Sequence, residues 1–148
     1  MTLSNLNMTT ERKNHNILFD VRTFKDHVEC EALLESQRVC FCKVNIDTAG
    51  HTWTIASWFT NENLQGQGIG KQTLARVLSK LYGITGTPKE IEYIWNGTND
   101  YVLEWMERHF DAKCSCPIAV QKKQADDDWE SHIYKLNVAK VLDYFGIK

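Results

Sequence analysis

The sequence has few of the features that mark fibrous, disordered or membrane-spanning chains. Two prolines and eight glycines in 148 residues exclude a collagen-like or Pro/Gly-rich disordered chain. No apolar run approaches the roughly 20 residues that a bilayer span needs, and the polar first 16 residues lack the apolar stretch of a secretory signal. The net charge of −2 is not the basic excess that nucleic-acid binding needs. Composition therefore predicts a soluble, cytoplasmic protein with neither a membrane nor a nucleic acid as its partner.

What the sequence does contain suits a single folded domain. Hydrophobic residues make up 43% of the chain and charged residues 24%, which is close to the globular average. A chain of 148 residues has the size of one domain. Because the first segment is polar, we predict a flexible N-terminal arm over residues 1–16 and one domain over residues 17–148.

The five cysteines are an odd number and follow no secretory signal, which indicates free thiols rather than a disulfide framework. Four of them form two C-x-C pairs, Cys40 with Cys42 and Cys114 with Cys116. The one-residue spacing is shorter than that of zinc knuckles. Cys40 and Cys42 also lie in an apolar, strand-like run, where cysteine behaves as a small hydrophobe. We therefore predict buried thiols and no metal site.

Hydrophobic periodicity predicts one mixed α/β domain. A capping-box pattern at Thr23–Asp26, with Phe24, Val28 and Ala32 one turn apart, predicts a helix that runs to Ser36. Further predicted helices run from the glycine-rich turn to Leu81, over 102–110 and over 139–145. The predicted strands cover 17–21, 38–46, 52–59, 90–95, 112–122 and 131–138. Residues 47–50 are predicted to form the hairpin connection between the second and third of these strands.

Alternation assigns faces to the strands on either side of this hairpin. The first is predicted to carry Cys40, Cys42, Val44 and Ile46 on one face. The second is predicted to carry Trp53, Ile55, Ser57 and Phe59 on one face, and Thr54, Ala56 and Trp58 on the other.

The most informative stretch runs from Leu64 to Gln72 and contains three glycines at alternate positions. Between a strand and an amphipathic helix, it places bare backbone N–H groups at a helix N-terminus, which suits a phosphate. A P-loop would need glycine at position 65 and Ser or Thr at position 72, and both residues are glutamine. A dinucleotide fingerprint that starts at Gly66 would need glycine at position 71, which is lysine. The turn therefore predicts a different phosphate site, with a tight strand-to-helix connection as the alternative.

The stretch Gln65 to Gly70 fits the pattern Gln/Arg-x-x-Gly-x-Gly/Ala. At this position, after an apolar strand and at the start of a helix, it resembles the acetyl-CoA-binding motif of the GNAT superfamily of N-acetyltransferases. A second match is the strand Ile91–Trp95, which is followed by Asn99 and by an apolar helix that ends at Phe110. The resemblance covers residues 52–110, and the terminal strand pair agrees with it in kind.

The resemblance implies an α/β (α+β) fold. Its central sheet would be mixed and largely antiparallel, flanked by helices, with a splay between the two middle strands that holds CoA. Acetyl-CoA would be the cosubstrate, its pyrophosphate lying on the main-chain amides of 66–70. Backbone N–H groups near Phe59 and Thr60 would be the oxyanion donors. The implied cofactor-binding residues are Phe59, Thr60, Gln65, Gly66, Gln67, Gly68, Ile69, Gly70, Lys71 and Asn99. Of these, Lys71 would either reach a phosphate or be solvated, and Asn99 would either contact CoA or cap its helix.

The resemblance also implies direct attack by a primary amine in a ternary complex, with no cysteine nucleophile. Trp105 stands where many family members carry an acidic tyrosine, and an indole N–H is not a useful proton donor at neutral pH. Tyr101, four residues earlier on the same helix face, takes this role or no side chain does. Glu62 is the carboxylate nearest to the motif and is the predicted base, and Glu92 and Tyr93 lie on the neighbouring strand.

The expected acceptor is a small-molecule amine or a protein lysine or N-terminus. The acidic run 126–130 either forms a solvated turn or attracts a cationic acceptor. Fewer elements precede the glycine-rich turn than family members commonly have, which implies an open site, a large acceptor, or a partner subunit as in a homodimer. Trp105 favours an alternative function, a non-catalytic GNAT-like module that binds CoA or a partner protein.

Overall fold

The computed structural model describes residues 16–47, 49–95, 100–115 and 132–147. Residues 1–15 of the expected arm, Asn99, Cys116 and the acidic run 126–130 lie outside these ranges. The described strands are β1 (Ile17–Thr23), β2 (His27–Leu34), β3 (Gln37–Ile46), β4 (Thr52–Thr60), β5 (Glu90–Trp95), β6 (Lys113–Cys114) and β7 (His132–Leu136). The described α-helices are α1 (Ile69–Thr85), α2 (Asp100–Phe110) and α3 (Val138–Phe145), and a short 3-10 helix covers Glu62–Leu64.

The seven described strands form one sheet in the order β1-β2-β3-β4-β5-β7-β6. β4 and β5 pair in parallel, joined by the α1 crossover, and each of the other neighbouring pairs is antiparallel. A parallel pair needs such a crossover, whereas an antiparallel pair needs only a hairpin. The predicted mixed, largely antiparallel sheet is confirmed.

Most of the predicted elements agree closely with the structure. The strands expected over 17–21, 38–46, 52–59 and 90–95 are each present to within two residues. The helix expected to end at Leu81 continues through Gly83 to Thr85. Gly86 is its C-cap, and the Gly86 N–H donates to the Tyr82 carbonyl. Of the two terminal strands, β7 lies within its predicted range, whereas most of the range predicted for the strand before it lies outside the described residues.

The helix predicted from Phe24 to Ser36 is wrong, because these residues form the β1–β2 turn and β2. Val28, Cys30 and Ala32 are fully buried on one face of β2, while the residues between them are half-buried. Val28 and Ala32 are four residues apart, a separation that is one helical turn and also two strand repeats. Cys30 between them distinguishes the two, since only a strand buries all three.

The core lies between one face of the sheet and the three described helices. α1 packs across β1 to β4. Trp53 and Ile55 of β4 share a single buried cluster with residues of all three helices. The β4–β5 register places Ile91 and Tyr93 of β5 on the same face, and both belong to that cluster. We call this the helical face. No helix of the described ranges is both long and apolar enough to cross a membrane.

A β-bulge at Ala56 corrects the faces predicted for β4. Val44 pairs with Ile55 and Lys43 with Ser57, so Ala56 is an extra residue in β4. The bulge turns the side chains of Trp58 and Thr60 to the helical face. There the Trp58 indole N–H donates to a carbonyl of α1, and the Thr60 hydroxyl lies within hydrogen-bond distance of the Cys40 thiol. Ser57 and Phe59 point to the opposite, open face instead. In β3, by contrast, Cys40, Cys42 and Val44 are all buried on the predicted face.

Candidate functional site

The sheet opens between β4 and β5. Their parallel pairing covers only Thr52–Ile55 against Glu90–Tyr93, so the second half of β4 has no partner on that side among the described strands. The Asn61 N–H donates to the Val39 carbonyl of β3 at 2.9 Å. Because backbone groups alternate along a strand, the N–H groups of Trp58 and Thr60 point the other way, into the gap. The expected splay between the middle strands is therefore present, and the amides of Trp58 and Thr60 on its β4 side pair with no described strand.

Two glycines with left-handed backbone conformations shape the turn that follows β4. Gly66 has φ +84° and Gly68 φ +82°, where a side chain would be strained. Gly68 is the N-cap of α1 and has no side chain to bond the helix N-terminus, and the first turn holds no acidic residue. The first α1 bond is from the Gln72 N–H to the Gly68 carbonyl at 3.0 Å, so the amides of residues 69–71 precede it. The helix thus presents free donors and its positive dipole end together.

Gly70 is required for a different reason, the close approach of α1 to β4. A Cβ at this position would lie 2.9 Å from Thr60 Oγ1 and 3.6 Å from Trp58 Nε1. The Trp58 indole N–H donates to the Gly70 carbonyl at 3.0 Å. The first turn of α1 is therefore held directly against the unpaired half of β4.

These parts enclose a cleft of about 700 Å³ between β4, the glycine-rich turn, α1 and α2. Most of the predicted site residues line it. They are Phe59, Thr60, Glu62, Gln65, Gly66, Gly68, Ile69, Gly70, Lys71 and Tyr101. Gln67 does not line the cleft, and its side-chain Oε1 is buried without a hydrogen-bond partner among the described residues. Gln65 lies beside the turn as predicted, and its amide donates to the Thr60 carbonyl at 3.0 Å.

An aromatic wall that sequence reasoning missed closes one side of the cleft. Trp105 is only 8% exposed, and its ring lies 5.7 Å from Trp58, 5.5 Å from Tyr144 and 5.1 Å from Phe110. The Lys71 ammonium lies 5.5 Å from the Trp105 ring and 5.9 Å from the Tyr144 ring. Lys71 is therefore placed by cation–π contacts at the start of α1. No local pattern in the sequence brings Tyr144 of α3 to this wall.

Tyr101 and Glu62 both reach the cleft, from α2 and from the 3-10 helix. Tyr101 is 77% exposed and lies one turn before Trp105. The two groups considered on β5 are differently placed. Glu92 accepts a hydrogen bond from the Thr54 hydroxyl at 3.3 Å, and burial raises the pKa of Tyr93 to about 12. Tyr93 is thus protonated at neutral pH.

The thiols behave as core groups. Cys30, Cys40 and Cys42 are fully buried, as expected for Cys40 and Cys42. Burial raises the pKa of Cys30 to about 11 and that of Cys42 well above its ordinary value, so both remain thiols at neutral pH. Cys114 is partly exposed, and Cys116 lies outside the described residues. Within the described ranges, no three His, Cys, Asp or Glu side chains come together as a metal site would need.

Solved structures of acetyltransferases share this architecture. PaiA N-acetyltransferase from Thermoplasma acidophilum, in complex with coenzyme A, matches with a TM-score of 0.56 and 12% identity over 76% of this chain. A GNAT family acetyltransferase from Elizabethkingia anophelis with acetyl-CoA bound matches with a TM-score of 0.56 and 13% identity, over 82% of this chain and 98% of that one. Nourseothricin acetyltransferase matches with a TM-score of 0.59 and 12% identity, over 83% and 85%.

This chain spans 61% of the PaiA chain. No protein-family model matches the sequence, and no curated protein matches it. At identities this low, the structural likeness establishes the fold. The chain has the fold of the GNAT acetyltransferases, as the glycine-rich turn predicts.

Proposed function

We propose that this protein is an acetyl-CoA-dependent N-acetyltransferase, which moves an acetyl group to a primary amine by direct attack within a ternary complex. One observation carries the proposal. The unpaired half of β4 and the uncapped N-terminus of α1 border the same cleft. Such a cleft offers an anion site and a row of free backbone amides side by side, which suits a ligand that is a diphosphate at one end and an amide-bearing arm at the other.

The chain's own groups suit the two ends of that ligand. The amides of residues 66–71, at the positive end of the α1 dipole, would hold the CoA pyrophosphate, with the Lys71 ammonium beside them. The backbone groups of Trp58, which also face the gap, would bond the pantetheine arm. The bound thioester supplies an activated acetyl group, and the protein's part is to orient it and to handle charge and protons.

For the oxyanion that develops on acetyl transfer, the Thr60 N–H is the better of the two donors expected from the sequence. Strand alternation directs the Phe59 N–H to β3 and the Thr60 N–H to the gap. A fixed backbone donor in a partly closed site stabilises such charge without reorganisation.

Proton transfer is assigned to the two ionisable side chains of the cleft. We propose Tyr101 as the acid that protonates the departing thiolate, because Trp105 is packed into the aromatic wall and lacks an acidic proton. Glu62, which is exposed at the cleft rim, is proposed to take a proton from the incoming ammonium. The acceptor is proposed to be a small-molecule amine or a protein lysine or N-terminus.

Thermal stabilisation by CoA and acetyl-CoA tests the binding half of the proposal. Gly68→Glu places a carboxylate at the anion site and should abolish the stabilisation. Gly86→Glu is the matched control, since Gly86 also has a positive φ of +73° and lies at the other end of α1. The control variant should lose general stability and keep the CoA response. The proposal is refuted if the parent protein shows no response, or if both variants keep it.

A second candidate function is a non-catalytic module that binds CoA or a partner protein. The observation in its favour is Trp105, which fills the expected acid position and is locked by four neighbouring rings. Release of free thiol from acetyl-CoA across a panel of amines and lysine peptides separates the two functions. Binding of CoA without thiol release above the uncatalysed rate, for every amine in the panel, would favour the module.

A further inference from the structure

β1 forms one edge of the sheet and offers seven residues of backbone for pairing. It pairs with β2 along its whole length, and on its outer side no other described strand accompanies it. An open edge of this length is a template for another strand, and proteins commonly blunt such edges. The opposite edge, β6, has only two residues.

The hydrogen bonds of the hairpin show which groups of β1 are free. The Phe24 N–H donates to the His27 carbonyl at 2.8 Å, so Phe24 points toward β2. Alternation then directs the backbone of Leu18, Asp20 and Arg22 to β2 as well. The N–H and C=O groups of Phe19, Val21 and Thr23 point outward, away from the sheet.

The side chains of β1 divide between the two faces of the sheet. Phe19 and Val21 pack against the core on the helical face, and the Arg76 guanidinium of α1 lies 4.1 Å from the Phe19 ring. The even-numbered residues lie on the open face. Among them Leu18 is 69% exposed and Phe24, whose ring stacks on His27, is 45% exposed.

Between these two apolar side chains lies an opposite pair of charges. Asp20 and Arg22 form an ion pair at 2.9 Å, and their side chains are 43% and 53% exposed. Each therefore retains free hydrogen-bonding capacity. On the open face, a charged and then an exposed apolar side chain therefore follow Val21 in each direction along the strand. These are Asp20 and Leu18 toward the N-terminus, and Arg22 and Phe24 toward the C-terminus.

This pattern is self-complementary in one antiparallel register. With Val21 opposite Val21 of a second copy, Asp20 faces the second copy's Arg22, and Leu18 faces its Phe24. The outward backbone groups of Phe19, Val21 and Thr23 then meet as hydrogen-bonded pairs. Slipping the register by two residues sets Asp20 against Asp20 or Arg22 against Arg22, and like charges directly opposite destabilise a strand pair.

We propose that two copies of this chain associate by antiparallel pairing of their β1 strands, with Val21 on the two-fold axis. The two sheets become one continuous sheet, and each chain contributes the same surface to the interface. Pairing through one strand edge buries less area than a standard protein interface, so the dimer is weak and depends on protein concentration. The interface lies away from the cleft, and this inference does not depend on the proposed function.

Charge exchange tests the register in the full-length chain. Sedimentation velocity from low to high micromolar concentration should show a monomer–dimer equilibrium for the parent protein. Asp20→Arg sets arginine against Arg22 of the second copy at both ends and should shift the equilibrium to monomer by tenfold or more in Kd. Adding Arg22→Asp to it restores opposite charges across the axis and should restore the dimer. Glu29→Gln in the same background removes the like charge that position 22 then faces on β2.

Hydrogen exchange supplies the second measurement, and circular dichroism verifies that each variant is folded. The Val21 amide should be protected at concentrations that favour the dimer and exposed on dilution. Val21→Pro removes this outward donor and leaves the β1–β2 bonds in place, so it should give a folded monomer. A parent protein that is monomeric throughout overturns the proposal. So does a dimer that Asp20→Arg and Val21→Pro leave intact, or a Val21 amide that is protected in the monomer.

Discussion

Replacing Gly70 by alanine tests how closely α1 is held against the unpaired half of β4. The new Cβ would lie 2.9 Å from Thr60 Oγ1, a separation that real Cβ contacts essentially never show. Thr60 is β-branched, so its side chain has few alternative rotamers. Its Oγ1 is also 3.3 Å from the Cys40 thiol. On the other side, the Trp58 indole is bonded to the Gly70 carbonyl and restricts movement of the helix.

The magnitude follows from two opposing effects. Overpacking a tight contact costs about 1–3 kcal/mol, while alanine in place of glycine within a helix gains about 0.5–1 kcal/mol. The expected result is a net loss of about 1 kcal/mol in the free energy of unfolding, with a fall in Tm of about 2–4 °C for a chain of this size. Gly83→Ala is the matched control within α1, since nothing lies within 4 Å of its Cβ position. It should raise the stability by about 0.5–1 kcal/mol.

Urea unfolding followed by tryptophan fluorescence measures both variants, and their effects should have opposite signs. Repeating Gly70→Ala in a Thr60→Ala background removes the clashing oxygen, so the substitution should become neutral or stabilising there. That corresponds to a coupling energy of about 1 kcal/mol. If Gly70→Ala stabilises the parent protein as Gly83→Ala does, or if the coupling is absent, the close packing inferred for this turn is wrong.

Three further predictions concern Thr85, Tyr93 and Tyr101. Thr85→Val removes the acceptor of the buried Trp53 indole N–H, which lies 3.1 Å from Thr85 Oγ1, and should cost about 1–3 kcal/mol in urea unfolding; Thr85→Ser should retain most of the stability. Folding raises the pKa of Tyr93 from 10.0 to about 12. Its ionisation should therefore leave the free energy of unfolding unchanged below pH 10 and lower it between pH 10 and about 12. Tyr93→Phe should lose that part of the alkaline fall, and an unchanged pH profile would contradict the burial argument. Tyr101→Phe should lower kcat with acetyl-CoA at least tenfold, whereas Tyr144→Phe, which keeps its ring against Trp105, should not; equal rates for Tyr101→Phe and the parent protein would remove Tyr101 from the mechanism.

The sequence was sufficient where local chemistry decides the structure. The three glycines between Gln65 and Lys71 indicated a strand-to-helix turn with free amides, and two of them adopt the left-handed backbone conformation that only glycine adopts readily. Alternating apolar residues located β3 and β5 almost to the residue. These features depend on residues close together in the chain, so the glycine motif and hydrophobic periodicity predict them.

The sequence does not predict the structure where the helix and strand periods coincide, or where contacts between residues distant in the chain determine it. Val28 and Ala32 fit a helix and a strand equally, and the Thr-x-x-Asp pattern of a capping box lies here in the β1–β2 turn. The bulge at Ala56 has no signal in the sequence, yet it exchanges the faces of Trp58 and Phe59. The aromatic wall joins α2 to Tyr144 near the end of the chain, and this contact follows only from the assembled fold.

The short β4–β5 pairing also limits the backbone hydrogen bonds that join the two parts of the sheet. Four residue pairs join an antiparallel block of β1 to β4 to a second block of β5, β6 and β7. Because only this short ladder joins the two backbones, we expect the amides of the two blocks to exchange at different rates. A ligand that forms hydrogen bonds to β4 in the gap would connect the two blocks beyond these four residue pairs. When a ligand occupies the cleft, the amide exchange rates of the two blocks should therefore become similar.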